Sequence, residues 1–189
     1  GAMSDLVSPD TVNEFLTDTW LPTKRRHVRA STSYRYTWMV DNYINPAIGH
    51  VPLRRLRADH LDGLYVQLAT TGGRHGTGLA PKTVHEVHVI VRSSLDLAIR
   101  RQLVDGNVAH ATNARHKRQT RTVPRSWTAA ELASFLGSAR RHRLHPALHL
   151  TACTGMRRGE VAGLKWSDLD RTNQRLSISR TLQSIAGHP

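Results

Sequence analysis

The chain has 189 residues, and 27 lysine and arginine residues against 14 acidic ones give it a formal net charge of +13 at pH 7. A compact surface with so many uncompensated cations repels itself, which indicates a polyanionic partner and favours nucleic acid over an anionic membrane. No stretch reaches the ~18 apolar residues of a spanning helix, and no charged start precedes an apolar run, so we expect a cytoplasmic protein without a membrane partner.

The first helix is predicted within SPDTVNEFLTDTWL, residues 8–21. The preceding Gly1-Ala2-Met3 is typical of the remnant of a cleaved tag and is set aside from the fold. Ser8 is a candidate N-cap, and Pro9 suits the first turn. Four apolar residues then recur on one face at helical spacing: Val12, Phe15, Leu16 and Trp20.

A second helix is predicted within HVRASTSYRYTWMVDNYINPAIG, residues 27–49. Ser31 or Thr32 can cap its start, and Pro46 with Gly49 is expected to end it. Its inward face is expected to consist of Tyr36, Val40 and Tyr43.

The third helix is predicted within LRADHLDGLYVQLA, residues 56–69. Asp59 falls near its first turn, where a negative charge complements the helix dipole. The apolar stripe consists of Leu61, Leu64, Tyr65 and Leu68.

A glycine-rich stretch, residues 72–78, precedes the fourth helix and superficially resembles a phosphate-binding loop. Pro81 occupies the position where such a loop needs glycine, so we predict a flexible connection instead. Pro81 then opens the longest helix, whose buried seam is predicted to be Val84, Val87, Val91, Leu95 and Ala98.

The opposite side of this fourth helix is polar, with Lys82, His85, Arg92 and Ser93 on or beside it. A solvated surface is the general interpretation of such a face. The net charge of the whole chain favours a surface that faces DNA.

Residues 106–126 contain almost no large apolar residues and many cations, which is typical of a linker. Such a run is either a disordered connector or a strap along a phosphate backbone, and its position between two folded units favours the strap. The predicted contacts are Arg115, Lys117, Arg118, Arg121 and Arg125.

A second folded unit is predicted from about residue 127. Thr128 and Glu131 form a capping-box pattern ahead of an apolar helix. Another apolar helix ends at Gly155, and Cys153 within it is expected to be buried and to bind no metal. The alternation of Leu176 and Ile178 in RLSISR predicts a half-buried strand.

The stretch TGMRRGEVAGLKWSDLD, residues 154–170, resembles the first arginine motif of tyrosine recombinases of the phage-integrase family. YINPAIGHVPLRRL and PKTVHEVHVIVRSSLDLAIRRQLV are similar to the core-site DNA-binding domain of the same family, so the resemblance covers nearly the whole chain. A type IB topoisomerase shares the arginine chemistry but lacks this first-half pattern. The matching motif residues are Thr154, Gly155, Met156, Arg157, Glu160, Leu164, Trp166 and Asp168.

The resemblance implies a mainly α chain with a four-helix, SAM-like core-binding domain at residues 4–108. A basic interdomain linker at 109–126 and the first helices and strand of a truncated α+β catalytic domain at 127–189 complete the predicted organisation.

The resemblance also implies that Arg157 is a catalytic residue and that Glu160 supports it. These enzymes attack a DNA phosphodiester with a tyrosine, need no metal or nucleotide cofactor, and pass through a phosphorane whose extra charge suits a planar guanidinium. The general alternative for Arg157 and Glu160 is a surface ion pair, worth less than ~1 kcal/mol. Arg158 is either a solvated neighbour or a phosphate contact.

The sequence departs from the family in lacking its later lysine, His-x-x-Arg and tyrosine elements. The four tyrosines are Tyr34, Tyr36, Tyr43 and Tyr65, all in the first half. We therefore predict a fragment that is inactive alone, from an integrase that joins phage or element DNA to a bacterial chromosome. The alternative is a non-catalytic integrase-like accessory protein or repressor. Predicted partners are double-stranded DNA, further copies of the parent in a tetramer, and a host bending factor.

The predicted DNA-binding surface combines the start of the second helix, the fourth helix and the linker. Backbone contacts position such a protein, whereas groove contacts read sequence, and Arg35, His85 and Arg92 are the candidates for groove contacts. The complete set is Arg29, Ser31, Thr32, Arg35, Lys82, Thr83, His85, Arg92, Ser93, Arg115, Lys117, Arg118, Arg121 and Arg125.

Overall fold

The computed structural model describes residues 9–112 and 125–183, with only the backbone of Arg74. The chain divides into two compact units, Gly1–Arg121 and Thr122–Pro189. The predicted mainly helical fold is confirmed. No helix in the described ranges is long and apolar enough to cross a membrane.

The described part of the first unit contains four helices. Helix α1 comprises Val12–Glu14, a π-helical stretch Phe15–Trp20 and Leu21–Arg25. Helix α2 comprises Ala30–Met39, a second π-helical stretch Val40–Ile44 and Asn45–Ile48. Helices α3 and α4 are regular and span Ala58–Thr71 and Pro81–Arg100. Short 3₁₀ turns lie at Leu53–Arg55, Arg74–Gly76 and Val108–His110.

Each π-helical stretch ends just before a proline, Pro22 in α1 and Pro46 in α2. The N–H of Leu21 donates to the carbonyl of Leu16, five residues earlier, and the N–H of Asn45 donates in the same way to Val40. A proline removes one i→i−4 bond and crowds the preceding turn, and we infer that the wider turn accommodates it. The prediction that Pro46 and Gly49 end the second helix is therefore wrong for Pro46 and confirmed for Gly49, because α2 continues to Ile48 and Gly49 is its C-cap.

The helix starts also differ from prediction. The predicted cap Ser8 lies outside the described residues, and Thr11 caps α1, because the Thr11 hydroxyl accepts from the N–H of Glu14 and the Glu14 carboxylate accepts from the N–H of Thr11. Helix α2 begins after Arg29 without a side-chain cap, so Ser31 and Thr32 lie inside its first turn. Their predicted capping role is wrong, since the helix starts earlier than the first side chain able to cap it.

The core of the first unit lies between all four helices and contains the residues predicted from helical spacing. Phe15, Leu16 and Trp20 are each 1% exposed, and Leu61 and Val87 are fully enclosed. The predicted stripes of α1, α3 and α4 are all buried, whereas Tyr36 and Tyr43 of α2 are partly buried against the same core. The apolar periodicity therefore identified the interior of this unit correctly.

The chain after α4 folds back onto the first unit. Ala109, in the 3₁₀ turn Val108–His110, is 2% exposed and belongs to the core. The side-chain amide of Asn107 donates to the Asp96 carboxylate at 2.6 Å and to the backbone carbonyl of Arg92 at 3.0 Å. These bonds attach residues 107–112 to the outer side of α4.

The core predicts a large loss of stability for Leu61→Ala. We expect the free energy of unfolding to fall by about 2–5 kcal/mol, because the substitution opens a cavity in a fully enclosed site. Val66→Ala is the matched control on the same helix, since Val66 is 63% exposed and its truncation should change stability by less than about 0.5 kcal/mol. Urea unfolding followed by circular dichroism measures both, and equal losses would contradict the packing.

The described part of the second unit contains three helices and one short hairpin. Helix α5 spans Ala129–Ser138, followed by a 3₁₀ turn at Ala139–Arg141; α6 spans His145–Thr154, and α7 spans Arg158–Ala162. A 3₁₀ turn at Trp166–Asp168 leads into β1, Leu169–Asp170, which pairs antiparallel with β2, Arg175–Leu176. The predicted Thr128–Glu131 capping box is confirmed.

The predicted strand in the second unit is shorter than expected, because β2 ends at Leu176 and Ile178 is 50% exposed beyond it. The prediction that Cys153 is buried is also wrong, since its side chain is exposed. Among the described residues of this unit only Met156 is buried as a whole residue, at 4% exposed, so no enclosed core covers Cys153 or Ile178.

Candidate nucleic-acid interface

An ion pair joins the first half of α2 to the first half of α4 in the first unit. Nη2 of Arg35, on α2, donates to Oε2 of Glu86, on α4, and the two residues are 51 positions apart in the chain. The side chains of Arg35 and Glu86 are 58% and 28% exposed. The structure therefore places one predicted groove contact, Arg35, beside the helix that carries the other two, His85 and Arg92.

The start of α4 carries three of the predicted contacts. Lys82 and His85 are exposed, and Thr83 is half-buried in the first turn. The ring of His85 stacks on that of His88 with the centroids 6.2 Å apart. The Tyr65 hydroxyl lies 3.1 Å from Nδ1 of His88, and burial raises the pKa of Tyr65 above its ordinary range. The two stacked histidine rings are thus linked to α3 through Tyr65.

Arg92 lies further along α4 and is held by the segment that follows the helix. Its Nε donates to Nε2 of His110 at 3.2 Å, while the Arg92 side chain is exposed and Ser93 next to it is half-buried. Arg92 is thus fixed by a neighbour that sequence analysis did not name.

The start of α2 carries three more predicted contacts. Arg29 is exposed immediately before the helix, and Ser31 and Thr32 are half-buried in its first turn. These three residues and Arg35 belong to the same helix start, so the first-unit contacts predicted around α2 and α4 fall on adjacent elements.

Most of the basic linker lies outside the described residues, including Arg115, Lys117, Arg118 and Arg121. Arg125 is described and exposed, and its guanidinium pairs with the Glu131 carboxylate at 2.8 Å. Hydrogen bonds from the Thr128 backbone and hydroxyl, with the nearby Arg125 guanidinium, lower the pKa of Glu131. Arg125 is therefore tied to the start of α5 in the second unit.

The arginine motif occupies the turn between α6 and α7. Gly155 ends α6 in the left-handed conformation at φ 70°, where glycine is favoured over any side chain with a Cβ. Met156 then turns inward, and Arg157 follows directly before α7 with its side chain 87% exposed. This turn places the charged end of Arg157 in solvent while its neighbour anchors the backbone.

Glu160 holds Arg157 at two points. Its Oε2 accepts from the Arg157 backbone N–H at 2.7 Å, and its Oε1 accepts from Nη1 at 3.2 Å. The backbone bond, assisted by the guanidinium, lowers the pKa of Glu160. A lowered carboxyl pKa keeps the group charged as pH falls through the usual carboxyl range, so the bonds are lost only when pH falls through the lowered value. The contact inferred from spacing is present, and Arg158 is exposed beside it.

A second arginine, Arg180, fixes the far side of this motif. Its guanidinium donates to both oxygens of Asp168 at 3.0 Å each, and the Asp168 side chain is only 9% exposed. The N–H of Leu182 donates to the carbonyl of Gly159 at 2.9 Å. A Cβ on Gly159 would lie 2.7 Å from the Leu182 carbonyl, so only glycine permits this approach. The segment 180–182 therefore lies directly against α7.

The paired hydrogen bonds between Arg180 and Asp168 lead to a prediction for local opening. Arg180→Ala removes a two-bond, charge-assisted contact worth about 1–3 kcal/mol, so amides of residues 159–163 and 182 should exchange with deuterium roughly tenfold faster or more. Arg175→Ala is the control, because Arg175 is exposed on β2 and pairs only through its backbone. Hydrogen–deuterium exchange measures both, and equal protection in the two variants would contradict a stabilising role.

Comparison with protein families identifies the first unit. Residues 11–68, which contain α1, α2 and most of α3, match the family described as "Phage integrase, N-terminal SAM-like domain". The match covers less than a third of the chain. The phage-integrase resemblance predicted from the sequence is confirmed, and the SAM-like domain lies where four helices were expected.

Relatives and solved structures extend the similarity beyond the SAM-like domain. The chain is 25% identical over 157 residues to an integrase of Saccharopolyspora erythraea, which covers 82% of the chain and 34% of the relative. It also matches the Tn1549 transposon integrase in complex with circular intermediate DNA, with TM-score 0.73, 19% identity and coverage of 95% and 57% of the two chains.

A lambda integrase dimer bound to a COC′ core site also shares the fold, with TM-score 0.69 and 21% identity over 85% of the chain and 43% of the lambda protein. The chain therefore spans about a third of the curated relative and about half of these solved structures.

Three residues that no sequence pattern singled out hold predicted contacts or the arginine motif in place: Glu86, His110 and Arg180. No local pattern identifies Glu86 or Arg180, because each meets its partner across a loop or between helices.

No three His, Cys, Asp or Glu side chains of the described ranges are close enough to share a metal ion.

Proposed function

We propose that this chain is the core-site DNA-binding domain, linker and first part of the catalytic domain of a site-specific tyrosine recombinase. The parent enzyme cleaves and rejoins duplex DNA through a 3′-phosphotyrosyl intermediate. The chain itself binds duplex attachment-site DNA in the cytoplasm of a bacterial host.

The observation that carries the proposal is Arg157, exposed at the turn after α6 and held by Glu160 in a chain that also contains a phage-integrase SAM-like domain. Attack of a tyrosine on a phosphodiester adds negative charge to the phosphate oxygens. A guanidinium with paired donors stabilises that charge better than a lysine ammonium can. Glu160 holds the Arg157 backbone and Nη1, and the remaining donors of the exposed guanidinium can meet a phosphate.

The charge of the chain supports DNA as the substrate. The net charge of +13 provides the attraction to phosphates, and the exposed Arg29, Lys82 and His85 line adjacent helix starts in the first unit. The similar Tn1549 and lambda integrases are described as complexes with DNA. We assign Arg115, Lys117, Arg118 and Arg121 to backbone contacts that position the protein without reading sequence.

Two further partners belong to the parent enzyme. Lambda integrase is described as a dimer on a core site and as a tetramer on a Holliday junction, which supports a homo-oligomer of the parent on DNA. A host bending factor stays a prediction from the family resemblance.

A footprint on candidate attachment-site duplexes tests DNA binding directly. We expect protection of one contiguous core site and no covalent adduct on a nicked suicide substrate, because the chain has no tyrosine after Tyr65. Unprotected duplexes at low salt would contradict DNA binding. An adduct that survives denaturation would contradict the assignment of the nucleophile to the rest of the parent.

A non-catalytic DNA-binding protein is the second candidate, favoured by the positions of all four tyrosines within residues 34–65. The coding region separates the two proposals. A reading frame that continues to an Arg-x-x-x-Tyr segment supports the recombinase, and a natural stop codon near Pro189 supports an accessory protein or repressor.

A further inference from the structure

We infer that Glu86 determines sequence specificity on the DNA-binding surface. It holds Arg35 in position to read a guanine, and it weakens the attraction of Arg35 to backbone phosphates, which are the same in every sequence. This inference rests on the proposed binding of duplex DNA by the first unit.

The geometry makes Glu86 the more enclosed partner of the pair. The Glu86 side chain is 28% exposed, against 58% for Arg35, and its Oε2 accepts from Nη2 of the arginine. Arg35 lies in the second turn of α2 and Glu86 in the second turn of α4. The carboxylate thus lies between two helices, and the guanidinium extends outward from it.

The surroundings of Glu86 are basic. Lys82 lies one turn earlier on α4 and is exposed, His85 is exposed beside it, and Arg29 is exposed at the start of α2. A carboxylate on such a surface repels phosphates and lowers affinity for every duplex alike. Its favourable effect must therefore come through what it does to Arg35.

The donors left on Arg35 suit a guanine edge. Nη2 carries two hydrogens, and Glu86 accepts one of them, so the second hydrogen and those of Nη1 still form a fork. Arginine recognises guanine through two such parallel bonds to O6 and N7 in the major groove. A fork held by Glu86 keeps one orientation, whereas an unpaired arginine turns to the nearest phosphate, which carries no sequence information.

Glu86→Gln tests the inference by binding to short duplexes of randomised sequence. We expect the unchanged chain to enrich one G·C pair through Arg35, and the variant to lose that enrichment. The variant should bind unselected duplex several-fold more tightly at low salt. Its log-log salt dependence should also be steeper by about 0.9, the value for one additional phosphate contact.

Glu86→Asp separates position from charge, because it keeps the carboxylate but shortens its reach by one methylene. We expect it to lose the G·C preference while its affinity for unselected duplex stays within about twofold of the unchanged chain, since the charge near phosphates is retained. Asp41→Asn, an exposed carboxylate on α2, is the control for charge alone and should leave the preference intact. Thermal unfolding of each variant checks that the fold is retained.

A double-mutant cycle with Arg35→Gln decides whether Glu86 acts through Arg35. In the Arg35→Gln background, Glu86→Gln should leave sequence preference unchanged. The inference is overturned if Glu86→Gln alone keeps the preference, if its effect persists without Arg35, or if the unchanged chain enriches no G·C pair. Failure of the unchanged chain to bind any duplex would instead contradict the proposed function.

Discussion

Arg157→Lys, made in the longer parent enzyme, should lower DNA cleavage by roughly 10²–10³-fold or more while leaving most of the DNA affinity. Lysine keeps one positive charge among many, so binding to phosphates changes little. The guanidinium fork that matches two oxygens of the phosphorane is lost, and loss of a transition-state donor costs about 3–4 kcal/mol. Single-turnover cleavage of a nicked suicide substrate, with affinity measured separately, checks both parts.

Arg158→Lys is the matched control for this prediction. Arg158 is the first residue of α7, and no described side chain holds it as Glu160 holds Arg157. Its substitution should therefore be far milder in cleavage. Equal losses of cleavage in the two variants, or a greater loss for Arg158→Lys, would show that the catalytic arginine has been assigned to the wrong residue of the pair.

Glu160→Gln should lower DNA cleavage by more than Arg158→Lys and by less than Arg157→Lys. It removes the carboxylate that accepts from both the backbone and the guanidinium of Arg157, so it loosens Arg157 without removing the fork.

DNA affinity of the chain should fall by orders of magnitude as salt rises from low to physiological concentration. Each phosphate contact made by a lysine or arginine releases counterions, which gives a slope of about −0.9 per contact in a plot of log affinity against log salt. Six or more contacts would lower affinity by roughly 10³-fold or more between ~50 and ~200 mM salt. Fluorescence anisotropy with a labelled duplex measures the slope, and affinity independent of salt would contradict electrostatic binding.

The linker provides the matched variant for the salt experiment. Neutralising Arg118 and Arg121 together should make the slope shallower by about 1.8, the value for two lost contacts, and should weaken binding to all sequences similarly. A change in sequence preference instead would show that these residues read bases.

Some features of the chain could be predicted from local sequence because they depend on neighbours along a helix. The stripes of Val12, Phe15, Leu61 and Val87 identified the interior of the first unit, since residues three or four positions apart share one face of a helix. Thr128 with Glu131 and Arg157 with Glu160 were predictable for the same reason, because each pair is three residues apart. Gly155 was identifiable because helix ends favour glycine in the left-handed conformation.

Predictions failed where the outcome depended on more distant parts of the chain. The second helix continued beyond Pro46 because a π-helical stretch ahead of it accommodates the ring. Cys153 was expected inside, yet burial depends on what the rest of a unit places over a helix face, and the described residues place nothing there.

The sequence by itself determined the basic character of the chain, the four helices of the first unit with their buried stripes, and the position of Arg157. These are local properties, set by composition and by spacings of a few residues. Only the tertiary structure decided that Arg35 meets Glu86, that His110 holds Arg92, and that Arg180 is bound by Asp168. These pairs join residues from 12 to 51 positions apart. A charged side chain has many possible partners in the sequence, and only the packing of helices and turns decides which of them lies within hydrogen-bonding distance.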